Sequence, residues 1–231
     1  MKQLYSIATA LFLLVLPHLN AHAQEVGVRK IDWSPEIYQP GKLYPGYIIQ
    51  LNGDTTKGFL KALQRCAPGG LGNGNQNTAE FYLHESDKKP TGKYDPSEIK
   101  GYLIADKLYE SIAFSGGLLK KPNFNLVQVD GGIRIYYWYS TVENFSAIQQ
   151  QSGETWEAFD ARRYETKTVV GKPGLDPLEY NSLAMSFAKK MPDFVSDNAA
   201  MAKKITDKEK GYKSLDIFNV IDEYNARESR Q

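Results

Sequence analysis

The residues best placed to do chemistry lie in the run Tyr136-Tyr137-Trp138-Tyr139. On a strand, Tyr137 and Tyr139 share one face with Ile133 and Ile135. Tyr136 and Trp138 share the other with Arg134, because side chains alternate with period two. The first face reads as core. The second combines a guanidinium with two flat rings, the equipment for stacking on a sugar or gripping a peptide, since rings supply area and a polar edge. Arg134, Tyr136 and Trp138 are therefore the candidate ligand-binding residues. The favoured reading, however, is that both faces are covered, one by the opposite sheet and this one by the C-terminal helices, because those helices need somewhere to dock.

The other chemistries fare worse. Asp54-Thr55 is followed by Thr56, not by the Gly of an Asp-Thr-Gly protease motif, and no second copy exists; a turn suits it better. The Gly69-to-Gly74 stretch lacks the Gly-Lys-Ser/Thr of a phosphate loop and reads as a plain loop. A Ser-His-acid triad would have to use His84, and no Ser sits in a G-x-S-x-G elbow. Asp95 and Glu98 are three apart, as in a capping box. Paired acids leave no local signature, so a general acid–base site stays open as an alternative. No catalytic residue is assigned, and the chain reads as a binding protein rather than an enzyme.

Composition narrows the field. The chain has 231 residues, 28 Lys+Arg, 27 Asp+Glu and 42% hydrophobic residues, a globular make-up with near-zero net charge. That balance lacks the basic footprint of a nucleic-acid binder. Lys2, the apolar run Ile7 to Leu16, Pro17 and Ala21-His22-Ala23 read as a secretory signal peptide over residues 1–23. The run is about half the roughly 20 residues a membrane-spanning helix needs, and no later stretch is long or apolar enough. The predicted destination is the periplasm, the outer membrane's surface or the exterior. Residues 1–23 hold one Lys and no acid, so 27 basic and 27 acidic residues remain in the mature chain. His84 and Cys66 are then its only His and Cys, too few for the usual zinc sites, and no metal or cofactor is expected. Cys66 reads as a packed small hydrophobe.

The elements that must position these residues fall into three parts. Residues 24–45 form an extended, proline-punctuated leader, with Trp33, Ile37, Tyr38 and Tyr44 expected to lie against the body. Residues 46–170 read as short β-strands. Asn52-Gly53-Asp54 and Asp130-Gly131-Gly132 are the hairpin signals, and Trp156 to Val170 reads as one strand. Residues 171–231 switch to helical period. Asp176, Pro177 and Glu179 suggest a capped start, Pro192 a stop, Phe194 to Ile205 a second helix, and Gly211 the entry to a third. Leu183, Phe187, Phe218 and Ile221 are the expected anchors of this tail. The fold class is mainly β, an antiparallel sandwich or half-open barrel, with a helical cap of two to three short helices.

Three segments carry a resemblance. Gly46-Tyr47-Ile48, Gly53-Asp54-Thr55 and Gly58 match the pattern G-Y-I-x-x-x-x-G-D-T-x-x-G. Tyr94-Asp95-Pro96-Ser97-Glu98-Ile99-Lys100-Gly101-Tyr102 is similar to Y-x-P-x-[DE]-I-K-G-[FY], and Tyr224-Asn225 to a closing Y-N. Together they resemble a family of exported Bacteroidota proteins without assigned activity. Thr56 replaces the family's usual aliphatic residue. The resemblance implies an exported bacterial β protein with a helical tail and supplies no catalytic residues. The functional expectation is a non-enzymatic binding or structural protein of the cell envelope, its partner an envelope protein or a glycan. The alternative is a glycan-binding module or glycan-acting enzyme using the aromatic face.

Overall fold

Among the described residues, runs rich in β-branched and aromatic side chains, interrupted by Gly, Asn and Pro, fold into ten strands. A computed structural model describes residues 39–65, 74–114 and 121–228. The strands are β1 (Leu43–Gln50), β2 (Thr55–Lys61), β3 (Ala79–Tyr82), β4 (Gly92–Tyr94), β5 (Ile99–Ile104), β6 (Lys107–Ile112), β7 (Asn123–Val129), β8 (Arg134–Thr141), β9 (Tyr164–Gly171) and β10 (Leu178–Glu179). The helices are α1 (Trp156–Arg163), α2 (Tyr180–Met185), α3 (Phe187–Phe194), α4 (Ala199–Thr206) and α5 (Ile217–Glu228). All ten strands belong to one antiparallel sheet that does not close, in the order β10-β9-β8-β7-β6-β5-β1-β2-β3-β4. The protein is mainly β with a C-terminal helical cap.

The inner face of the sheet holds two clusters. The larger joins Ile48, Leu60, Phe81, Tyr102, Tyr109, Phe124, Leu126 and Tyr139 to Phe145 and Tyr164. Gln76 closes it. Its side-chain amide donates to the Tyr139 carbonyl at 2.9 Å and accepts from the Tyr139 N–H at 2.7 Å. Gln76 thus ties the chain before β3 to β8, on the far side of the curved sheet. The second cluster packs Val129, Ile133, Ile135 and Val170 against Leu183, Phe187, Met191, Met201, Ile217, Val220 and Ile221 of the helices.

One side chain fastens α5 to the sheet. Asn225 is 2% exposed. It accepts from the Ile133 N–H at 2.9 Å and donates to the Ile133 carbonyl at 2.8 Å, imitating a neighbouring strand. The Gly131-Gly132 hairpin permits this approach. A Cβ on Gly131 would lie 2.6 Å from the Asn225 amide carbon, and one on Gly132 would collide with Glu228 Oε2. The second hairpin signal and the closing Tyr-Asn pair, 92 residues apart, are one contact.

Several expectations need correction. The body begins at Leu43, not at residue 46, because Leu43, Tyr44 and Pro45 already pair with β2. Residues 24–38 of the expected leader, the predicted signal peptide over residues 1–23 and Cys66 lie outside the described residues, as do residues 69–73 of the glycine-rich loop. Trp156 to Val170 is not one strand. Thr155 caps α1, its hydroxyl accepting from the Ala158 N–H at 3.3 Å, and β9 starts only at Tyr164. Asp176 does not cap a helix. Leu178 and Glu179 pair with Val170 and Val169 at the free sheet edge, so α2 starts at Tyr180. The break falls at Ser186, and Pro192 lies inside α3. Phe194 and Val195 end that helix, and Asn198 caps α4 instead. Phe218 is 44% exposed against Tyr180, while Leu183, Phe187 and Ile221 are buried as expected.

Candidate functional site

Strand alternation puts Arg134, Tyr136 and Trp138 on the outer face of the sheet, opposite Ile135, Tyr137 and Tyr139. The helices take the inner side, against Ile133, Ile135 and Val170. The expectation that they cover the Tyr136 and Trp138 face is overturned. The outer face has its own apolar cluster. Leu108, Val127, Tyr136 and Val169 are buried there, flanked by Ile49, Leu103, Ile112 and Phe114. Register assembles it: Tyr136 lies opposite Val127 on β7 and Val169 on β9, and Leu103 lies opposite Leu108.

The three candidate residues play different parts. Glu110 of β6 links two of them. It forms an ion pair with Arg134 and accepts from the Tyr136 hydroxyl at 2.9 Å. Asp130 adds a second ion pair to Arg134 at 3.1 Å. Burial and then the Glu110 charge push the Tyr136 phenol well above its ordinary value, so it is a neutral donor and no base. Burial works against the Arg134 guanidinium, but Glu110 and Asp130 outweigh it and raise its pKa. Tyr136 is only 5% exposed, with its hydroxyl fixed on Glu110.

Trp138 is half-buried, with Phe114 edge-on at 6.1 Å and the Lys167 ammonium 5.5 Å from its ring centroid. Among the described residues its Nε1 donor has no hydrogen-bond partner. Neither has the Oδ1 acceptor of the buried Asn125. The pairing of Leu126 with Tyr137 places Asn125 opposite Trp138 on the same face. A donor and an acceptor thus go unmet on adjacent strands, where most buried polar groups find a partner. Nothing in the sequence pointed to Glu110, Asn125 or Lys167. Only the strand register brings them to Arg134 and Trp138.

The remaining sequence candidates are structural. Asp95 accepts from the Ser97 N–H at 2.7 Å, and Glu98 accepts from the Asp95 N–H at 2.8 Å, a reciprocal turn. The Ser97 hydroxyl and N–H hold the Asp95 carboxyl below its usual range. Asp54 caps its own hairpin, its N–H donating to Asn52 Oδ1 at 2.9 Å while Gly53 takes φ +97°. His84 is exposed and lies beyond the end of β3. Among the described residues no group of three or more His, Cys, Asp or Glu side chains converges on one point. No described helix is long and apolar enough to cross a membrane. No family model matches the chain, and neither a curated protein nor a solved structure matches it.

Proposed function

We propose that this is an exported bacterial cell-envelope protein that binds an envelope glycan on the outer face of its sheet, without catalysing a reaction on it. The observation that carries the reading is the placement of the helical cap on the inner face, which leaves Arg134, Trp138 and Lys167 on the other side. Sugars present apolar ring faces and a rim of hydroxyls. Trp138 and Phe114 offer ring area for the first, and Lys167, Arg134 and Glu110 offer charged partners for the second. The neutral Tyr136 phenol and the Glu110 carboxylate tied to Arg134 supply no free base, which favours binding over hydrolysis. Export through a signal peptide over residues 1–23, and the similarity to exported Bacteroidota proteins, agree with this setting.

The test is calorimetric titration of the mature chain with a muramidase digest of native peptidoglycan and with purified outer-membrane polysaccharide. One of these should bind. Trp138→Ala should weaken that binding at least about tenfold, the equivalent of ~1.4 kcal/mol. Equal affinity in wild type and Trp138→Ala, or no binding of either glycan, rejects the reading.

A further inference from the structure

A pocket of about 420 Å³ opens where the chain breaks between α2 and α3, away from the sheet face described above. Its wall is made by Met185, Phe187, Lys189, Lys208, Tyr212 and Lys213, with small residues between them. Three ammonium groups line it and no carboxylate does. None of the three lysines forms an ion pair among the described residues, and all three are exposed. The Tyr212 hydroxyl is already engaged, receiving Lys204 at 3.0 Å and donating to Glu223 at 2.7 Å. The loop that closes the pocket belongs to a basic stretch: residues 203–213 hold five lysines against two acids.

Beside this cationic pocket stand the two most exposed large apolar side chains of the described residues. Met185, on its wall, is 87% exposed, and Leu215, next to the lining Ser214, is 93% exposed. Phe218, 44% exposed, stacks on Tyr180 at 5.2 Å, at the other end of α2 from Met185. Single exposed apolar residues need no explanation, but two so fully exposed beside one lysine-lined pocket do. Apolar side chains that enter an acyl boundary beside lysines that meet lipid phosphates make a peripheral membrane surface.

We infer that the α2–α3 break and the α4–α5 loop form a docking surface for an anionic lipid bilayer. The pocket receives a headgroup phosphate between Lys189, Lys208 and Lys213, while Met185 and Leu215 enter the interface. This would hold the mature protein at a membrane without a spanning helix. It stands on residues other than those of the glycan-binding face, so either reading can fail alone.

Co-sedimentation of the mature chain with vesicles tests it. Vesicles of about one-third phosphatidylglycerol in phosphatidylcholine should bind the protein, pure phosphatidylcholine should not, and ionic strength near 0.5 M should release it. Lys208→Gln with Lys213→Gln should weaken binding about 25-fold, from roughly fivefold for each lysine charge lost at an anionic surface. Leu215→Asp with Met185→Asp should abolish it. These side chains are exposed, so the thermal unfolding of all variants should match wild type, which separates loss of docking from loss of fold. The inference is overturned if wild type ignores the anionic vesicles or if both double variants bind as wild type does. It is also overturned if the pocket takes up inorganic phosphate but no vesicle. Self-association lost in Leu215→Asp, without vesicle binding, would assign the patch to a second copy and overturn it too.

Discussion

Replacing Asn225 by Ala probes the joint between helical cap and sheet. Two hydrogen bonds are lost, and the N–H and carbonyl of Ile133, a residue 0% exposed, are left without partners. Each buried backbone group stranded in this way costs about 1–3 kcal/mol. Two give a ceiling of about 6 kcal/mol, and water entering the vacated space relieves part, so the expected loss is about 3 kcal/mol. That is a large fraction of a typical domain stability of about 5–15 kcal/mol. It should lower the melting temperature by about 6–12 °C in a chain of this size. Urea unfolding should shift its midpoint at constant slope, because cap and sheet share one core and unfold together. Asn225→Asp refines the argument. A charged Asp can accept from the Ile133 N–H but cannot donate to the carbonyl, whereas a protonated Asp can. Its folded-state pKa is therefore raised. The stabilising protonated form is lost as pH rises, so the variant's deficit against wild type should be smaller at pH 4 than at pH 7. A loss below about 0.5 kcal/mol in Asn225→Ala, or a separate early melting of the helices, would refute the reasoning.

Other expectations follow from the same packing. Phe218→Ala should cost only about 0.5–1.5 kcal/mol, the scale of one exposed ring pair, whereas Ile221→Ala, 0% exposed, should cost about 2–5 kcal/mol by chemical denaturation. Asp197 is held below its ordinary value of 3.8, first by the Tyr224 hydroxyl at 2.6 Å and, against its desolvation, by Lys172 at 3.1 Å. The stability it contributes is present above that value and lost as pH falls below it, so Asp197→Asn should flatten the acid limb of a pH–stability curve. Mass spectrometry of protein from its native envelope should find Gln24 at the N-terminus; an intact Met1 would contradict cleavage after Ala23.

Much of the fold was legible where short-range chemistry decides. Asn52-Gly53 and Asp130-Gly131-Gly132 announced their hairpins: Gly53 takes the positive φ that few residues tolerate, whereas Gly131 and Gly132 leave room for Asn225 and Glu228. Alternation in Ile133 to Tyr139 sorted β8 into two faces correctly. It could not say which face the helices would choose. Small glycines at 131 and 132 and a single Asn at 225 decide that, through a contact far apart in sequence. The helix Trp156–Arg163 was hidden because its aromatic start resembles the strand that follows it. The Asp176-Pro177 signal lost to the unpaired edge of β9, which recruits Leu178 and Glu179. In the candidate site, Arg134, Tyr136 and Trp138 could be read from one strand. Glu110, Asn125 and Lys167 come from three others, and only register brings them together.

The most direct test of the outer-face account is hydrogen–deuterium exchange of the mature chain with and without the glycan fraction that binds it. The account predicts added protection across β6 to β9, centred on Trp138 and Glu110, with exchange in α2 to α5 unchanged. Protection confined to the helices, or to the β2–β3–β4 end of the sheet, would contradict it.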